Sequence, residues 1–597
     1  MVFIIRDLMK KGILSNGLYT LKHTWKYEKR VIFSILIQII LGVVLPIAGV
    51  FLPALVVGSI SDGINHNMVA GVFSILLFLL VINTLSTYLS NMYGTYLLNN
   101  KIGFLSALFR KKMKVDYSYI ESPEGQTAYE NAFMSILNDH SGVSGMLSVI
   151  GPLFSSIIGI CINIGVMVRL NILVVTVLIF TSFIHIFIAY LLRTELEKLQ
   201  EPVADNSRKL NYLFGYTSGQ LGAREVRIFN MYDWMKQTIE GVIKDRINLA
   251  KKSAGYKFYL SIADCVILAF RDAVAYIVAI AAIARGEIEV WELVMYLGTI
   301  TCASVFFSSL TSNLALMGQR SIEINVIRDF LDKENNAGGE KILPNKDAGI
   351  KIELKDVSFK FREEDEYVLR HVNLTIDPNQ KLAVVGENGA GKSTLVKIIC
   401  GLYRPTEGKV LVNGVDLTEI NLQAYQKLIA TAFQDTYLLP MTLGENIAFG
   451  EADSATSEIK ECMNLTGLDE EKWELFRPLT KMLDASGLVP SGGQMQKIIL
   501  ARVAFKLLFR GADLLILDEP TSAMDAIAEK EFFDRYLDLA KNKSCILVSH
   551  RMKSTNTCDL IVVMDNGSIA ESGTHSELMK ANGLYRYMYD LQSSYYQ

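Results

Sequence analysis

The run Lys381-Leu-Ala-Val-Val-Gly-Glu-Asn-Gly-Ala-Gly-Lys-Ser-Thr394 joins a short apolar segment to a glycine-rich loop. Residues 381–385 predict a buried strand, and the residues from Ser393 onward predict a helix. The stretch between them has the phosphate-loop pattern GxxxxGK[ST] in the strand-to-helix context that this pattern requires. Its residues are Gly386, Glu387, Asn388, Gly389, Ala390, Gly391, Lys392, Ser393 and Thr394. Since loop N–H groups and a helix N-terminus both attract anions, the run predicts an α/β domain that binds nucleotide phosphates.

A second apolar run, Asp513-Leu-Leu-Ile-Leu-Asp-Glu519, ends in two acids and predicts another buried strand. Two acids at a strand end are common by themselves, but a phosphate loop in the same domain gives them a chemical context. Asp518 at the strand tip suits a contact to Mg²⁺ through water, and Ser393 suits direct ligation of Mg²⁺. Lys392 would reach the β- and γ-phosphates, and Glu519 is placed to polarise an attacking water as general base. The pair of runs predicts Mg²⁺-dependent nucleotide hydrolysis.

A third motif, Ser491-Gly-Gly-Gln494, opens a predicted helix between these two runs. It resembles the signature motif of ATP-binding cassette (ABC) ATPases, in which the signature of one cassette closes over ATP bound to a second cassette. On this resemblance Ser491, Gly492, Gly493 and Gln494 face the γ-phosphate on the partner, with help from the helix dipole. The chain therefore is expected to work as a dimer of half-transporters, with an identical or a different partner chain.

The same resemblance implies roles for single residues that no motif of their own would identify. Gln434, in Phe-Gln-Asp435, corresponds to the Q-loop glutamine that senses Mg²⁺ and the membrane domain. Asp525 corresponds to the D-loop, and His550 to the switch histidine that contacts the γ-phosphate. Phe361 lies where the family places the aromatic residue that stacks on adenine, with Tyr367 as the second candidate.

Pro490 stands where the family usually has leucine, and it admits two interpretations. Proline is tolerated at a helix start because its missing N–H would be free there anyway. Alternatively, the signature is mildly degenerate, as in heterodimeric exporters that pair a weakened signature with intact hydrolytic residues. The first interpretation is slightly favoured, since the serine and both glycines are retained.

The other half of the chain is unusually apolar. Half of the 597 residues are hydrophobic, and the mean hydropathy is +0.27. Charge-free runs at 31–61, 63–100, 140–168, 170–192 and 293–319 are each long enough to cross a bilayer. We predict six spans, at about 31–60, 68–98, 145–168, 171–192, 258–284 and 291–317. A net charge of −3 gives no indication of a nucleic-acid partner.

The charges of the loops predict the orientation of the chain in the membrane. The connection 61–67 has no Lys or Arg, and the third and fifth connections hold only Arg169 and Arg285. The two long connections, 99–140 and 193–257, are rich in Lys and Arg. By the positive-inside rule the N-terminus, the long loops and the ATPase are cytoplasmic, in a multi-pass protein of the cytoplasmic membrane.

The predicted fold class is multi-domain: an all-α six-helix transmembrane domain followed by an α/β P-loop ATPase. Residues 1–30 predict an amphipathic elbow helix at the lipid surface. Residues 31–330 form the transmembrane domain, 331–349 the linker, and 350–597 the nucleotide-binding domain. The resemblance to ABC exporters also implies coupling segments at about 117–130 and 210–220, each a short helix seated on an ATPase domain; an ordinary solvated helix hairpin is the alternative.

The sequence features that concern the transported cargo are less specific. Arg271 and Asp272 lie in a predicted span, where charges usually face a cavity or a structural partner. The stretches 223–230, 494–498 and 525–529 resemble Gram-positive exporters of lanthipeptides and other small peptides that lack a peptidase domain. The expected function is ATP-driven export of a small peptide or another amphipathic cargo. The alternatives are a multidrug or lipid exporter, and a regulatory or channel-like half-transporter with low turnover.

Overall fold

The computed structural model describes residues 12–594 apart from 62–65, most of 170–197, and 219, 336–337, 342–348, 363, 469–472, 482–483, 521–539 and 541. The chain divides into two compact units. The first comprises Met1–Phe109 with Glu130–Asp332, and the second comprises Arg110–Tyr129 with Lys333–Gln597. The short segment 110–129 therefore groups with the cassette and not with the helices that flank it in sequence.

The first unit is helical throughout its described part. Its long helices are α1 (Ile13–Tyr27), α2 (Lys29–Ser61), α3 (His66–Lys112), α5 (Pro123–Leu137), α6 (Gly142–Met167), α7 (Gln200–Ser218), α8 (Gln220–Ile228), α9 (Tyr232–Ala284) and α10 (Val290–Leu331). Helices α6 and α10 form the most extensive helix pair, and α2 packs on both. The short helix α4 (Tyr117–Glu121), which lies between α3 and α5, belongs to the second unit.

Five helical stretches of the described chain are long and apolar enough to cross a membrane: Lys29–Gly58, Ala70–Lys112, Pro123–Met167, Tyr232–Ala284 and Val290–Leu331. Each overlaps a predicted span. Half of the predicted fourth span, 171–192, lies outside the described residues. Several of these helices run well beyond the predicted span ends, because their polar extensions keep the helical hydrogen bonds that the apolar part begins.

Helix α1 is fastened to the end of α10 by buried polar groups. The Asn16 amide donates to the Ser321 carbonyl at 2.9 Å and to Asn325 Oδ1 at 2.7 Å. Arg328 in turn donates to Asn16 Oδ1 at 2.7 Å. Leu14 and Leu18 on the same helix are exposed, which is the arrangement of an amphipathic helix with one protein-facing polar stripe.

The second unit contains two sheets. In the described residues the smaller is antiparallel with the order β2-β1-β4-β5, built from β1 (Ile352–Phe359), β2 (Leu369–Ile376), β4 (Glu407–Val412) and β5 (Val415–Asp416). The larger has the order β10-β9-β3-β8-β7-β6, built from β3 (Lys381–Gly386), β6 (Ile429–Ala432), β7 (Leu514–Asp518), β8 (Ser544–Val548), β9 (Leu560–Asp565) and β10 (Ser568–Gly573). All neighbouring strands of the larger sheet are parallel except β9 and β10.

Helices surround the larger sheet. They are α11 (Lys392–Ile399), α12 (Leu422–Lys427), α13 (Leu443–Ala448), α14 (Thr456–Thr466), α15 (Gly492–Phe509), α16 (His575–Ala581) and α17 (Leu584–Ser594). Strands β3, β7 and β8 are buried along nearly their whole length and are continuous apolar runs, as expected for parallel strands covered on both faces. The parallel order β3-β8-β7-β6 brings four strand ends to one edge of the sheet.

Candidate nucleotide-binding site

The phosphate loop connects β3 to α11 in the way that its sequence predicts. Gly386 has φ 149°, and a Cβ there would lie 2.3 Å from the Met564 carbonyl oxygen. Gly391 caps α11 with φ 94°, and a Cβ there would lie 2.7 Å from Leu369 Cδ2. Both positions therefore require glycine, because the loop must turn sharply against neighbouring strands before the helix begins.

Lys392 fills the inside of the loop. Its side chain is buried, with 5% of the residue exposed, and its ammonium donates to the carbonyls of Gly386 and Glu387, each at 2.8 Å. Burial lowers the pKa of Lys392, while the nearby Glu519 and Asp518 act in the opposite direction. The loop thus holds a partly desolvated cation at the start of a helix, where a phosphate would also meet free N–H groups.

Asp518 ends β7 beside this loop and is only 3% exposed. Burial raises its pKa most, the neighbouring Glu519 adds to the rise, and a hydrogen bond from Ser393 lowers it. Its Oδ1 is buried without a hydrogen-bond partner among the described residues. A buried, unpaired carboxylate oxygen next to a hydroxyl fits a hard divalent cation such as Mg²⁺, directly or through its water.

Three predicted residues meet at the carboxyl edge of the sheet. The Glu519 carboxylate contacts His550 Nε2 at 2.5 Å through Oε1, and accepts a hydrogen bond from Gln434 Nε2 at 3.2 Å through Oε2. Gln434 follows β6, Glu519 follows β7 and His550 follows β8. Since these strands are neighbours and parallel, residues far apart in sequence converge on one carboxylate.

Glu519 itself adopts a left-handed conformation, with φ 50°. Such a conformation costs a residue other than glycine about 1–2 kcal/mol. Its N–H donates to the Val548 carbonyl at 3.0 Å, which continues the pairing with β8 for one residue past the strand. The backbone therefore turns the carboxylate towards His550 and holds it there at an energetic cost.

The imidazole of His550 faces both a cation and an anion. Burial lowers its pKa, Lys392 lowers it further, and Glu519 opposes both effects. The net direction of the pKa shift is downward, which favours the neutral imidazole. A neutral imidazole can donate one hydrogen bond to Glu519 or to a bound phosphate without adding a charge to the site.

Phe361 lies on the surface of the cassette with 53% of the residue exposed. Its ring packs edge-on against Phe359 and Tyr403, with centroid distances of 5.2 and 5.7 Å. One face of a firmly supported ring can therefore accept a planar base. Tyr367, the second candidate, directs its hydroxyl to Glu407 at 2.6 Å and carries Lys360 over its ring at 5.4 Å.

The signature stretch forms the start of α15. Ser491 is the N-cap, its hydroxyl accepts from the Gln494 N–H at 3.4 Å, and the Gln494 side chain accepts from the Ser491 N–H at 2.8 Å. This reciprocal pair is a capping box. Ser491, Gly492 and Gln494 are exposed, so the helix N-terminus is available to an anion from outside the cassette. Asp525 lies outside the described residues.

Pro490 precedes this N-cap, and the capping box forms without its N–H. We expect Pro490→Leu to change the maximal ATPase rate by less than about two-fold, because proline next to a helix start sacrifices no helical hydrogen bond. Purified wild-type and variant proteins, compared in lipid nanodiscs over a range of ATP concentrations, provide the measurement. A gain of five-fold or more in the variant would support a degenerate signature instead.

The structure adds a contact that the sequence motifs did not indicate. Helix α4, inside the predicted coupling segment 117–130, places the Glu121 carboxylate 2.8 Å from Lys397 Nζ and within hydrogen-bonding contact of the Tyr403 hydroxyl. Lys397 belongs to α11, the helix that begins with Lys392. The alternative of a hairpin surrounded only by solvent therefore does not hold for this segment. The predicted second segment, 210–220, spans α7 and α8, and part of it lies outside the described residues.

The loop, the paired acids and the signature helix have the arrangement of an ABC-type nucleotide-binding cassette. Residues 369–522 match the sequence family described as ABC transporter. The whole structure resembles that of a bacterial Atm1-family ABC exporter with ATP bound, at a TM-score of 0.78 and 19% identity over 94% of this chain and 98% of that one. The fold class predicted from the sequence is thereby confirmed.

Curated relatives are bacterial transport proteins. The chain is 32% identical to the subtilin transport ATP-binding protein SpaT of Bacillus subtilis over 64% of its length, and this match spans 63% of SpaT. It is 27% identical to the nisin transport ATP-binding protein NisT of Lactococcus lactis, over 96% of this chain and 95% of NisT. It is 30% identical to an ATP-dependent lipid A-core flippase of Aromatoleum aromaticum, over 62% of this chain and 61% of that protein. Residues 369–522 thus match the ABC transporter family, and the chain has the fold of a bacterial ABC exporter.

Proposed function

We propose that this chain is one half of an ATP-driven exporter of a small peptide, acting as a dimer in the cytoplasmic membrane. The observation that carries the proposal is the convergence of Gln434, Glu519 and His550 at one strand edge, beside the buried Lys392. A cassette used only to bind nucleotide would have no need of a carboxylate held in a strained conformation next to an imidazole.

The proposed reaction is hydrolysis of the terminal phosphate of ATP. Water attacks the γ-phosphorus, the bond from phosphorus to the β–γ bridging oxygen breaks, and ADP leaves with the electron pair. Glu519 accepts the proton of the attacking water. Gln434 and His550 orient the Glu519 carboxylate through the contacts described above, and His550 can donate to the γ-phosphate. Lys392 neutralises phosphate charge.

The remaining site residues have binding roles in this proposal. The residues that would hold Mg²⁺ are Ser393, Asp518 and Gln434, and the bound ion would neutralise charge on the β- and γ-phosphate oxygens. Phe361 stacks on adenine. Ser491–Gln494 and Asp525 act across the dimer, since one chain holds a single phosphate loop and a single exposed signature.

Transport would follow from closing and opening of the two cassettes. In our proposal residues 31–330 carry the cargo path, 331–349 link it to the cassette at 350–597, and residues 1–30 lie at the cytoplasmic lipid surface. Contact between Glu121 and the phosphate-loop helix offers a route by which ATP binding moves the helices. The N-terminus and the cassette are cytoplasmic, as the Lys- and Arg-rich connections favour.

A peptide cargo is favoured because NisT, a relative that aligns over nearly the whole chain, is described as a nisin transport protein. The test uses inside-out proteoliposomes that contain the purified chain. We expect ATP to drive uptake of a fluorescent linear peptide of about 30 residues at least five-fold above an ADP control, and Glu519→Gln to abolish this uptake. ATP-driven movement of a labelled lipid without peptide uptake would indicate that the cargo is a lipid and not a peptide. Absence of ATPase activity, with or without a partner chain, would contradict the pump itself.

A further inference from the structure

The last helix of the described chain contacts the segment that carries His550. Helix α17 lies against the 3₁₀ turn Met552–Thr557, which directly follows the switch residues. Gln592, close to the end of this helix, uses both ends of its amide. Its Oε1 accepts from the Met552 N–H at 2.9 Å, and its Nε2 donates to the His550 carbonyl. One side chain therefore bridges the backbone on both sides of Arg551.

The base of α17 is anchored independently of this contact. The Glu571 carboxylate accepts from the N–H groups of Leu584 and Tyr585, at 2.6 and 3.0 Å, and so caps the helix start. A Cβ at Gly583 would lie 1.9 Å from Glu571 Oε1, so a larger residue there would displace the carboxylate from these two N–H groups. A helix capped and held at its first turn can act as a rigid support at its other end.

The helix presents one continuous face to the switch segment. Tyr585 is fully buried and its hydroxyl lies 3.2 Å from Thr555 Oγ1 and 2.8 Å from His575 Nδ1. Tyr589, one turn later, accepts from the Asn556 amide at 3.3 Å. Gln592 follows Tyr585 after about two helical turns, so the three side chains share one face. Tyr585 and Tyr589 contact the end of the switch segment, at Thr555 and Asn556, and Gln592 contacts its start, at His550 and Met552.

We propose that Gln592 is a positioning residue for the proposed ATP hydrolysis: it holds the backbone of His550 so that the imidazole meets Glu519. The carbonyl carbon of His550 is bonded to the Cα that carries the imidazole, so a hydrogen bond to this carbonyl restrains the side chain, and the bond to the Met552 N–H holds the backbone that follows. Contacts within the turn, such as Ser554 Oγ donating to the Arg551 carbonyl at 2.7 Å, shape the turn without reaching the His550 carbonyl. Gln592 acts through His550 and does not touch the nucleotide.

The test is a double-mutant cycle in the full-length chain reconstituted in nanodiscs. Gln592→Met keeps the length of the side chain and removes both hydrogen bonds. We expect it to lower kcat about ten-fold while KM for ATP stays within about two-fold, because small displacements of a catalytic group reduce the rate steeply. In a His550→Ala background the same substitution should reduce the rate by less than two-fold, measured by release of radiolabelled phosphate.

Two controls separate positioning from folding. Ser593→Ala, which removes an exposed hydroxyl bound to the Asp590 carbonyl, should leave kcat unchanged. Tyr585→Phe loosens the helix base and should lower Tm more than Gln592→Met does, with a smaller loss of kcat. The inference is overturned if Gln592→Met leaves kcat unchanged, or if it costs the same factor with and without His550. The role of Gln592 rests on the proposed hydrolysis, so an inactive wild-type chain would overturn both the proposed hydrolysis and this role. An active wild type whose kcat Gln592→Met leaves unchanged would overturn only the role of Gln592.

Discussion

We expect Glu519→Gln to lower the ATPase rate of the purified protein by about 10²- to 10⁴-fold, the range typical for loss of a general base. The substitution keeps the size of the side chain and removes the group that accepts the proton of water. Contacts of Glu519 with Gln434 and His550 run through its two carboxylate oxygens, and the amide retains one of these oxygens. The variant should therefore fold normally and still bind ATP.

Phosphate release and ATP binding have to be measured on the same preparation. Fluorescent ATP-analogue binding within about two-fold of wild type, together with loss of turnover, is the expected combination. Glu419→Gln is a matched control, since Glu419 forms an exposed ion pair with Lys341 at 2.6 Å and exposed pairs contribute little. Turnover above a tenth of the wild-type rate in Glu519→Gln would assign the base to another group.

We expect Lys392→Met to weaken ATP binding by about 10- to 100-fold, because a charge-assisted hydrogen bond to an anion contributes about 1.5–3 kcal/mol. Methionine has nearly the length of lysine and places no charge in the loop. The variant also leaves the carbonyls of Gly386 and Glu387 without the donor that they have in the wild type. Some of the lost affinity will therefore come from a less ordered loop.

Equilibrium binding of the fluorescent analogue, read with and without Mg²⁺, measures this loss. Lys427→Met serves as the control, since Lys427 lies in the last turn of α12 and outside the phosphate loop. A similar affinity in Lys392→Met and wild type would show that the loop N–H groups alone hold the phosphates. Thermal unfolding of both variants should agree within a few degrees, because Lys392 is a buried cation whose desolvation offsets its hydrogen bonds.

Local sequence patterns were sufficient to predict the strand, loop and helix elements that hold the candidate site residues of the cassette. The backbone angles at positions 386 and 391 require glycine. A phosphate loop can therefore be recognised from a sequence that places such glycines between a strand and a helix. Apolar runs predicted the bilayer-length helices in the same way, since length and hydropathy are properties of a contiguous segment. The role of each site residue remains a prediction that the variants above test.

The sequence by itself determined the class of this protein: an ABC cassette attached to bilayer-length helices, with its loop, acids and signature in recognisable order. Only the tertiary structure decided which distant groups meet. Strand order β8-β7-β6 brings His550 and Gln434 to the Glu519 carboxylate. Gln592 reaches the His550 carbonyl through a side-chain bond to backbone, which leaves no pattern in either segment. Motifs record the backbone angles and charges of neighbouring residues, whereas contacts between separate elements depend on packing that no single stretch encodes.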